Sequence, residues 1–276
     1  MPNDFALRIM RRGSRTFFNS ARFLPAEIRD DVMTLYAFVR TADDFVDAVP
    51  QDAEGFFEFV SAYKSALKGS SNVPPVISEF VSLAARRAFS HDWVEAFLYA
   101  MQSDLSIRTY ATLEDTLRYV YGSAETVGFM MARIMTLEEE ALPYASLLGR
   151  AFQYVNFIRD VTEDMRLGRV YLPQSDILAS GLPSLSQQTI EENPGAFCEL
   201  MRMELRRYRQ WRAEAEPGFR LIPSRHRAAI LTAADMYDYT AGIIERDPMV
   251  VLRGKVKPTA ARILIHGLVN QIGVRL

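Results

Sequence analysis

Apolar residues return every three or four positions along almost the whole chain, and that period belongs to one kind of secondary structure. Val32, Leu35, Tyr36 and Val39 form one such stripe, and Phe56, Phe59, Val60, Tyr63 and Leu67 form the next. The strict alternation of a strand is hard to find. Punctuation falls where helices must stop: Pro25 ahead of one stripe, "KGSSNVPP" (68–75) after another, and Asp247-Pro248 at the end of a third. No internal repeat, low-complexity run or long linker divides the chain. Its 276 residues are 49% hydrophobic, enough for one large core. The sequence therefore predicts an all-α fold of about eight to ten helices, a single-domain bundle over residues 1–276.

Charge and cysteine content narrow the function. Lys and Arg number 32 against 34 Asp and Glu, so the net charge of -2 supplies no field to gather a polyanion, and nucleic acid is not an expected partner. Cys198 is the single cysteine, which excludes an intramolecular disulfide and a cysteine metal cage. A cytoplasmic location is expected. "MPNDFALRIMRRGSRTFF" has no apolar core followed by a small-residue cleavage site, and no run approaches the roughly 18 apolar residues of a membrane span. Membrane contact is expected to be peripheral.

Two acidic segments stand out against this background. "RTADDFVDAV" (40–49) places Asp43 and Asp47 one turn apart on the same helix face, beside the apolar Ala42, Phe45 and Val46. Like charges in a poorly solvated groove repel unless something positive sits between them. The geometry recurs in "QYVNFIRDVTED", where Gln153, Asn156, Asp160 and Asp164 follow one another at spacings of three and four. Two stripes on two helices point to one shared cation site. Oxygen-only ligands, with no cysteine or suitably placed histidine, are the preference of Mg²⁺, which keeps waters and is completed by substrate phosphates, so the predicted ligand is a diphosphate.

Acidic pairs also occur on solvated helix faces, where arginines neutralise them. Arg40 and Arg159 stand beside the two stripes and suit either that role or phosphate binding. The second stripe, however, lies within "AFQYVNFIRDV", apolar around most of its circumference, as expected for a helix lining an internal cavity. A di-iron bundle needs Glu three residues before His, but His91, His226 and His266 follow Ala88, Pro223 and Ile263 at that spacing. Nucleotide-binding glycine loops are absent from the sequence. Residues 167–195, rich in Gly, Pro and Ser, suit either a surface loop joining two helices or a lid in which Gly168 turns the chain and Arg169 closes over the ligand. The basic run "LRGKVKPTAAR" reads as solvated, with diphosphates or an anionic membrane surface within its reach.

These residues, in this order, resemble the squalene/phytoene synthases, all-α enzymes of the isoprenoid synthase class that join two prenyl diphosphates head to head. "RTADDFVD" and "QYVNFIRDVTED" match the family's two acidic motifs. "GSRTFF" with Ser14 and Arg15, "YVYGSAETVG" at 119–128, "GRVYLP" at 168–173 and "TAADMYDY" with Tyr237 match further landmarks across nearly the whole chain.

The resemblance implies metal ligation by Asp43, Asp47, Asn156, Asp160 and Asp164, with Mg²⁺ or Mn²⁺ as the ion. It implies catalytic roles for Asp43, Asp47, Asp160, Asp164, Tyr119 and Tyr237. It assigns substrate contacts to Ser14, Arg15, Arg40, Gln153, Asn156, Arg159, Ala21, Val127 and Gly128. Aromatic faces such as Phe17, Tyr36, Tyr119 and Tyr237, and the small residues Gly122, Ala124 and Gly128, would surround the carbocations.

Eukaryotic squalene synthases carry a C-terminal membrane anchor and use NADPH, whereas "ARILIHGLVNQIGVRL" is too short to span a membrane, so the resemblance implies the prokaryotic type, with NADPH not expected. Ser20 and Ala21 stand where thirty-carbon members carry bulk, so the expected substrate is geranylgeranyl diphosphate and the product phytoene, with squalene or dehydrosqualene from farnesyl diphosphate as the alternative. "DDFVD" also fits the first motif of terpene cyclases, whose second motif residues 156–164 do not show. A family-derived assembly protein without catalysis need not keep both carboxylate pairs.

Overall fold

A computed structural model describes residues 4–273. Among them, α1 (Asp4–Gly13), α2 (Arg15–Ser20), α3 (Ala26–Asp47), α4 (Ala53–Leu67), α5 (Pro75–Arg86) and α6 (His91–Ser103) make the first half. The second half contains α7 (Leu113–Val120), α8 (Thr126–Ile134), α9 (Leu142–Arg159), α10 (Val161–Arg166), α11 (Gln174–Ala179), α12 (Gln187–Glu192), α13 (Pro194–Ala215), α14 (Ser224–Arg246), α15 (Val250–Arg253) and α16 (Ala260–Gln271). The all-α expectation holds, but helices outnumber the expected eight to ten. The reason is length: α2, α10, α11, α12 and α15 have four to six residues, too few to repeat an apolar stripe. An isolated parallel bridge joins Thr109 to Val170.

Helix ends follow local chemistry. Ser14 accepts a hydrogen bond from the Phe17 amide at 3.2 Å and starts α2. Thr112 and Asp115 close a reciprocal capping box at α7. Asp52 caps α4 through the Gly55 amide. Pro25 stands just before α3, and α14 stops at Asp247, one residue ahead of Pro248.

One connected buried core holds the bundle. On one side Phe38 of α3 stacks on Phe80 of α5 with centroids 3.6 Å apart, and Phe59, Tyr63 and Phe97 pack around the pair. On the other, α9 runs through the middle against α8, α13 and α14. Its approach to α8 and to the turn just before α8 is closer than side chains allow: a Cβ on Gly128 of α8 would lie 2.4 Å from the Ala145 carbonyl oxygen, and one on Gly149 2.5 Å from that of Ala124.

Between α7 and α8 the helix widens into a π turn, Tyr121–Glu125. The buried Glu125 fixes this turn to α9 by accepting from Ser146 Oγ at 2.5 Å and Arg150 Nε at 2.7 Å.

The segment expected to be a surface loop or a lid is largely integrated into the core. Tyr171, Leu172, Ile177, Leu182, Leu185, Ile190 and Arg169 are buried. The Val170, Gln174 and Ser175 amides donate to the carbonyls of Arg108, Tyr110 and Ala111. The Gly, Pro and Ser content reflects short helices and turns; the expected turn does occur at Gly168, at φ 71°. Among the described residues no helix is long and apolar enough to cross a membrane.

Candidate active site

A cavity opens between α2, α3, α8, α9 and α14, and its lining is sorted by polarity along α9. Ala141, Tyr144, Ala145, Leu148, Gly149, Phe152, Gln153 and Asn156 line it at helical spacing, from an apolar end to a polar one. Fifteen residues separate Ala141 from Asn156, about 22 Å at the rise of a helix. Leu137, Ala215, Gly218, Phe219 and Ile222 surround the apolar part, and Ala21 and Leu24 contribute to the wall. Ser20, Ser123, Val127 and Gly128 also face the cavity.

Toward the polar end the walls become aromatic. Phe152 stacks on Tyr237 with centroids 4.0 Å apart, and Phe17 lies 6.2 Å from Tyr237 and 6.4 Å from Tyr36. All four rings line the cavity. Burial raises the Tyr237 hydroxyl above its usual range, opposed by Arg159 and by a hydrogen bond with Asn156.

The acidic stripes adjoin this end. At Asp160 the backbone leaves helical geometry, dividing the expected single helix into α9 and α10. The hydrogen bonds Asp160 N to Asn156 O at 2.8 Å and Asp164 N to Asp160 O at 2.9 Å nevertheless carry the helical spacing across the break. Arg159 holds Asp160 with two hydrogen bonds, 2.8 and 2.5 Å. Lys255, from the basic run expected to be solvated, reaches Asp160 at 3.2 Å and Glu163 at 2.5 Å.

On α3, Arg40 pairs with Asp43 at 2.7 Å and with the exposed Asp44 at 2.6 Å. Arg169 donates to Asp47 at 2.7 Å, and its backbone amide donates to the Asp164 carbonyl at 2.8 Å, so one residue links both acidic helices.

The electrostatics show that these carboxylates crowd one another. Asp43 is pushed up to about 7 by burial and then by Asp47, against the pull of Arg40. Asp164 is pushed up to about 8 by burial, then by Asp160 and Asp47. The buried Asn156 Oδ1 has no hydrogen-bond partner. An unpartnered amide oxygen beside mutually repelling carboxylates is a donor set suited to a hard divalent cation. Among the described residues no group of three or more acidic, histidine or cysteine side chains is placed to hold a metal ion.

The remaining expected residues fall in different places. Gln153 lines the cavity and accepts from Asn156 Nδ2 at 3.3 Å. Ser14 caps α2, and the Arg15 side chain lies outside the described residues. Tyr119 is buried away from the cavity lining, where it donates to Asp104 at 2.7 Å. Asp104 is a polar group of this region outside every motif, while Tyr171 and Lys255 lie within quoted stretches, "GRVYLP" and "LRGKVKPTAAR", without having been assigned to the site. Asp104 is a lone acidic residue just past α6, and only the folded chain brings it to Tyr119 and Tyr171.

Known proteins resemble this chain in sequence and in fold. The squalene/phytoene synthase profile matches residues 10–262. A 15-cis-phytoene synthase of Pantoea ananas is 32% identical over 85% of this chain and 79% of its own length. One from Paracoccus sp. is 37% identical over 59% of this chain and 57% of its own length, so that match spans little more than half of the relative. A dehydrosqualene synthase solved with a ligand superimposes with a TM-score of 0.87, covering 98% of this chain and 95% of its own at 23% identity. A squalene synthase from Alicyclobacillus acidocaldarius gives 0.76, covering 88% and 92% at 21% identity. With the profile covering most of the sequence and two acidic helices meeting at the polar end of an apolar cavity, the chain belongs to the squalene/phytoene synthase family.

Proposed function

We propose that this protein joins two geranylgeranyl diphosphates head to head to give phytoene. The observation that carries the reading is the cavity itself: over about 22 Å from Ala141 to Asn156 it runs from an apolar end through an aromatic stretch to a polar end bordered by both acidic stripes. Relatives named phytoene synthase support the choice of product.

Asp43, Asp47, Asn156, Asp160 and Asp164 would hold Mg²⁺, or Mn²⁺ in its place, which when bound supplies positive charge to a departing diphosphate. Arg40, Arg159 and Lys255 each hold one of these carboxylates, and the same donors suit phosphate oxygens. The polyprenyl chains lie along the α9 stripe, where the apolar wall excludes water.

One substrate loses its diphosphate, and the resulting allylic cation is attacked by the double bond of the second. Loss of a proton closes a cyclopropylcarbinyl diphosphate. Its diphosphate leaves in turn, the ring opens, and loss of a second proton yields the forty-carbon hydrocarbon. The rings of Phe17, Tyr36, Phe152 and Tyr237 face the cavity at the end where these cations form. Two diphosphates and two protons are released and no hydride is consumed, so NADPH is not expected.

Product analysis by chromatography and mass spectrometry tests the reading. Purified protein with geranylgeranyl diphosphate and Mg²⁺ should give a forty-carbon product without reductant. A thirty-carbon product formed only from farnesyl diphosphate would move the assignment to squalene or dehydrosqualene synthesis, and no product from either would overturn it.

A further inference from the structure

Next to the acidic site, and outside the cavity lining, lies a second polar cluster. Asp104 is 1% exposed. Its Oδ2 accepts from Tyr119 at 2.7 Å and its Oδ1 from Tyr171 at 2.8 Å. The Tyr171 hydroxyl accepts from Arg169 Nη1 at 3.2 Å, the same nitrogen that donates to Asp47. Arg169 Nη2 donates to the Val46 carbonyl in the last turn of α3, and Gln51 Nε2 donates to that carbonyl too, at 2.8 Å. Gln51 Nε2 also reaches the Asp104 backbone carbonyl at 2.9 Å. The end of the helix bearing Asp43 and Asp47 is therefore tied twice to the Asp104 region. Tyr110, Tyr119, Phe157 and Tyr171 enclose the cluster, with Phe157 stacked on Tyr171 at 4.4 Å.

We propose that Asp104, itself held by the hydroxyl of Tyr119, is a positioning residue: through the hydroxyl of Tyr171 it fixes the guanidinium of Arg169, and Arg169 in turn sets Asp47 relative to Asp164. Three arguments lead there. Arg169 is 3% exposed, so its charge needs fixed anionic partners, and Asp47 alone is itself a partly exposed side chain. A tyrosine hydroxyl donates one proton and accepts another bond, so Asp104 behind Tyr171 fixes which way that hydroxyl points and leaves its lone pair for Arg169. Arg169 also bonds the Asp164 carbonyl through its own amide, so displacing its side chain alters the relation between the acidic helices rather than one residue alone. Tyr119 thereby acts through Asp104 rather than on the substrate.

The inference rests on the proposed reading of the acidic stripes as a metal and diphosphate site. Its test therefore includes a measurement on the metal-free protein. Wild type, Asp104→Asn, Tyr171→Phe and Tyr119→Phe are compared by amide exchange over residues 43–49 without metal, and by the Mg²⁺ concentration that half-saturates binding of inorganic diphosphate.

Tyr171→Phe keeps the stacked ring and removes only the hydroxyl, which guards against the case where Asp104→Asn fails to fold. It should speed exchange at the end of α3 about tenfold and raise the Mg²⁺ requirement about fivefold, while the KM for the prenyl chain, governed by the cavity, stays within twofold. Tyr119→Phe should do the same more weakly. Unchanged exchange and Mg²⁺ requirement in Tyr171→Phe would overturn the positioning role. If wild type binds no diphosphate with Mg²⁺, the proposed function fails, and the exchange comparison still decides whether Asp104 orders the end of α3.

Discussion

The crowding of Asp43 and Asp164 makes cation binding steeply dependent on pH. In the metal-free fold these carboxyls titrate near 7 and 8, pushed up by burial and by their acidic neighbours. A cation needs both deprotonated, so each proton competes with the ion. Treating the two as independent, affinity falls about 16-fold from pH 8.5 to pH 7 and about 800-fold from pH 8.5 to pH 6, the first step being worth about 1.6 kcal/mol. A plot of log affinity against pH should have slope near 2 well below pH 7, near 1 between 7 and 8, and zero above.

Loss of the free-ion EPR signal of Mn²⁺ on titration with protein measures this directly. The stability sign runs the other way without metal. Both pKa values are raised above the unfolded value, so their contribution is present at low pH and is lost as pH rises through about 7 to 8. The melting temperature of the metal-free protein should accordingly fall between pH 6 and 8.5, and added Mn²⁺ should offset the fall. Affinity that stays level from pH 6 to 8.5 would refute the claim that these carboxylates gather the ion.

Other perturbations separate the parts of the site. Asp160→Asn keeps volume while removing a charge held by Arg159 and Lys255; turnover should fall by about two orders of magnitude or more with the circular dichroism spectrum unchanged. Ala21→Phe fills a buried position on the cavity wall and should shift kcat/KM toward farnesyl over geranylgeranyl diphosphate by about tenfold or more, read from competing substrates. Gly128→Ala would place a methyl 2.4 Å from the Ala145 carbonyl, forcing α8 from α9. Urea unfolding should show a loss of about 1–3 kcal/mol.

The long amphipathic helices were legible because each repeats its stripe several times: Phe56, Phe59 and Tyr63, read as one face of α4, are all buried. The acidic stripes were legible for the same reason, since one turn of helix sets the relation of Asp43 to Asp47 wherever the helix sits. What spacing does not carry is the meeting of distant segments. Arg169 was placed on a loop or lid because its neighbours are turn formers, yet its partners are Asp47, 122 residues earlier, and the carbonyl of Val46. Lys255 looked like one charge in a solvated run until the fold set it against Asp160. Asp104 had no motif around it, and its significance comes entirely from two tyrosines, Tyr119 and Tyr171, brought together by packing.

The π turn between α7 and α8 solves a problem of rotation. Tyr119, just before it, must point toward Asp104, while Val127 and Gly128, just after it, must face the cavity. One residue added to a helical circuit turns everything downstream by about 100°. Deleting Ser123 would close the wide turn into ordinary α-helix and swing Val127 and Gly128 off the cavity wall, while Tyr119 stayed where it is. The chain thus uses a single surplus residue as a swivel, letting one continuous helix serve two faces that a regular helix would have to choose between.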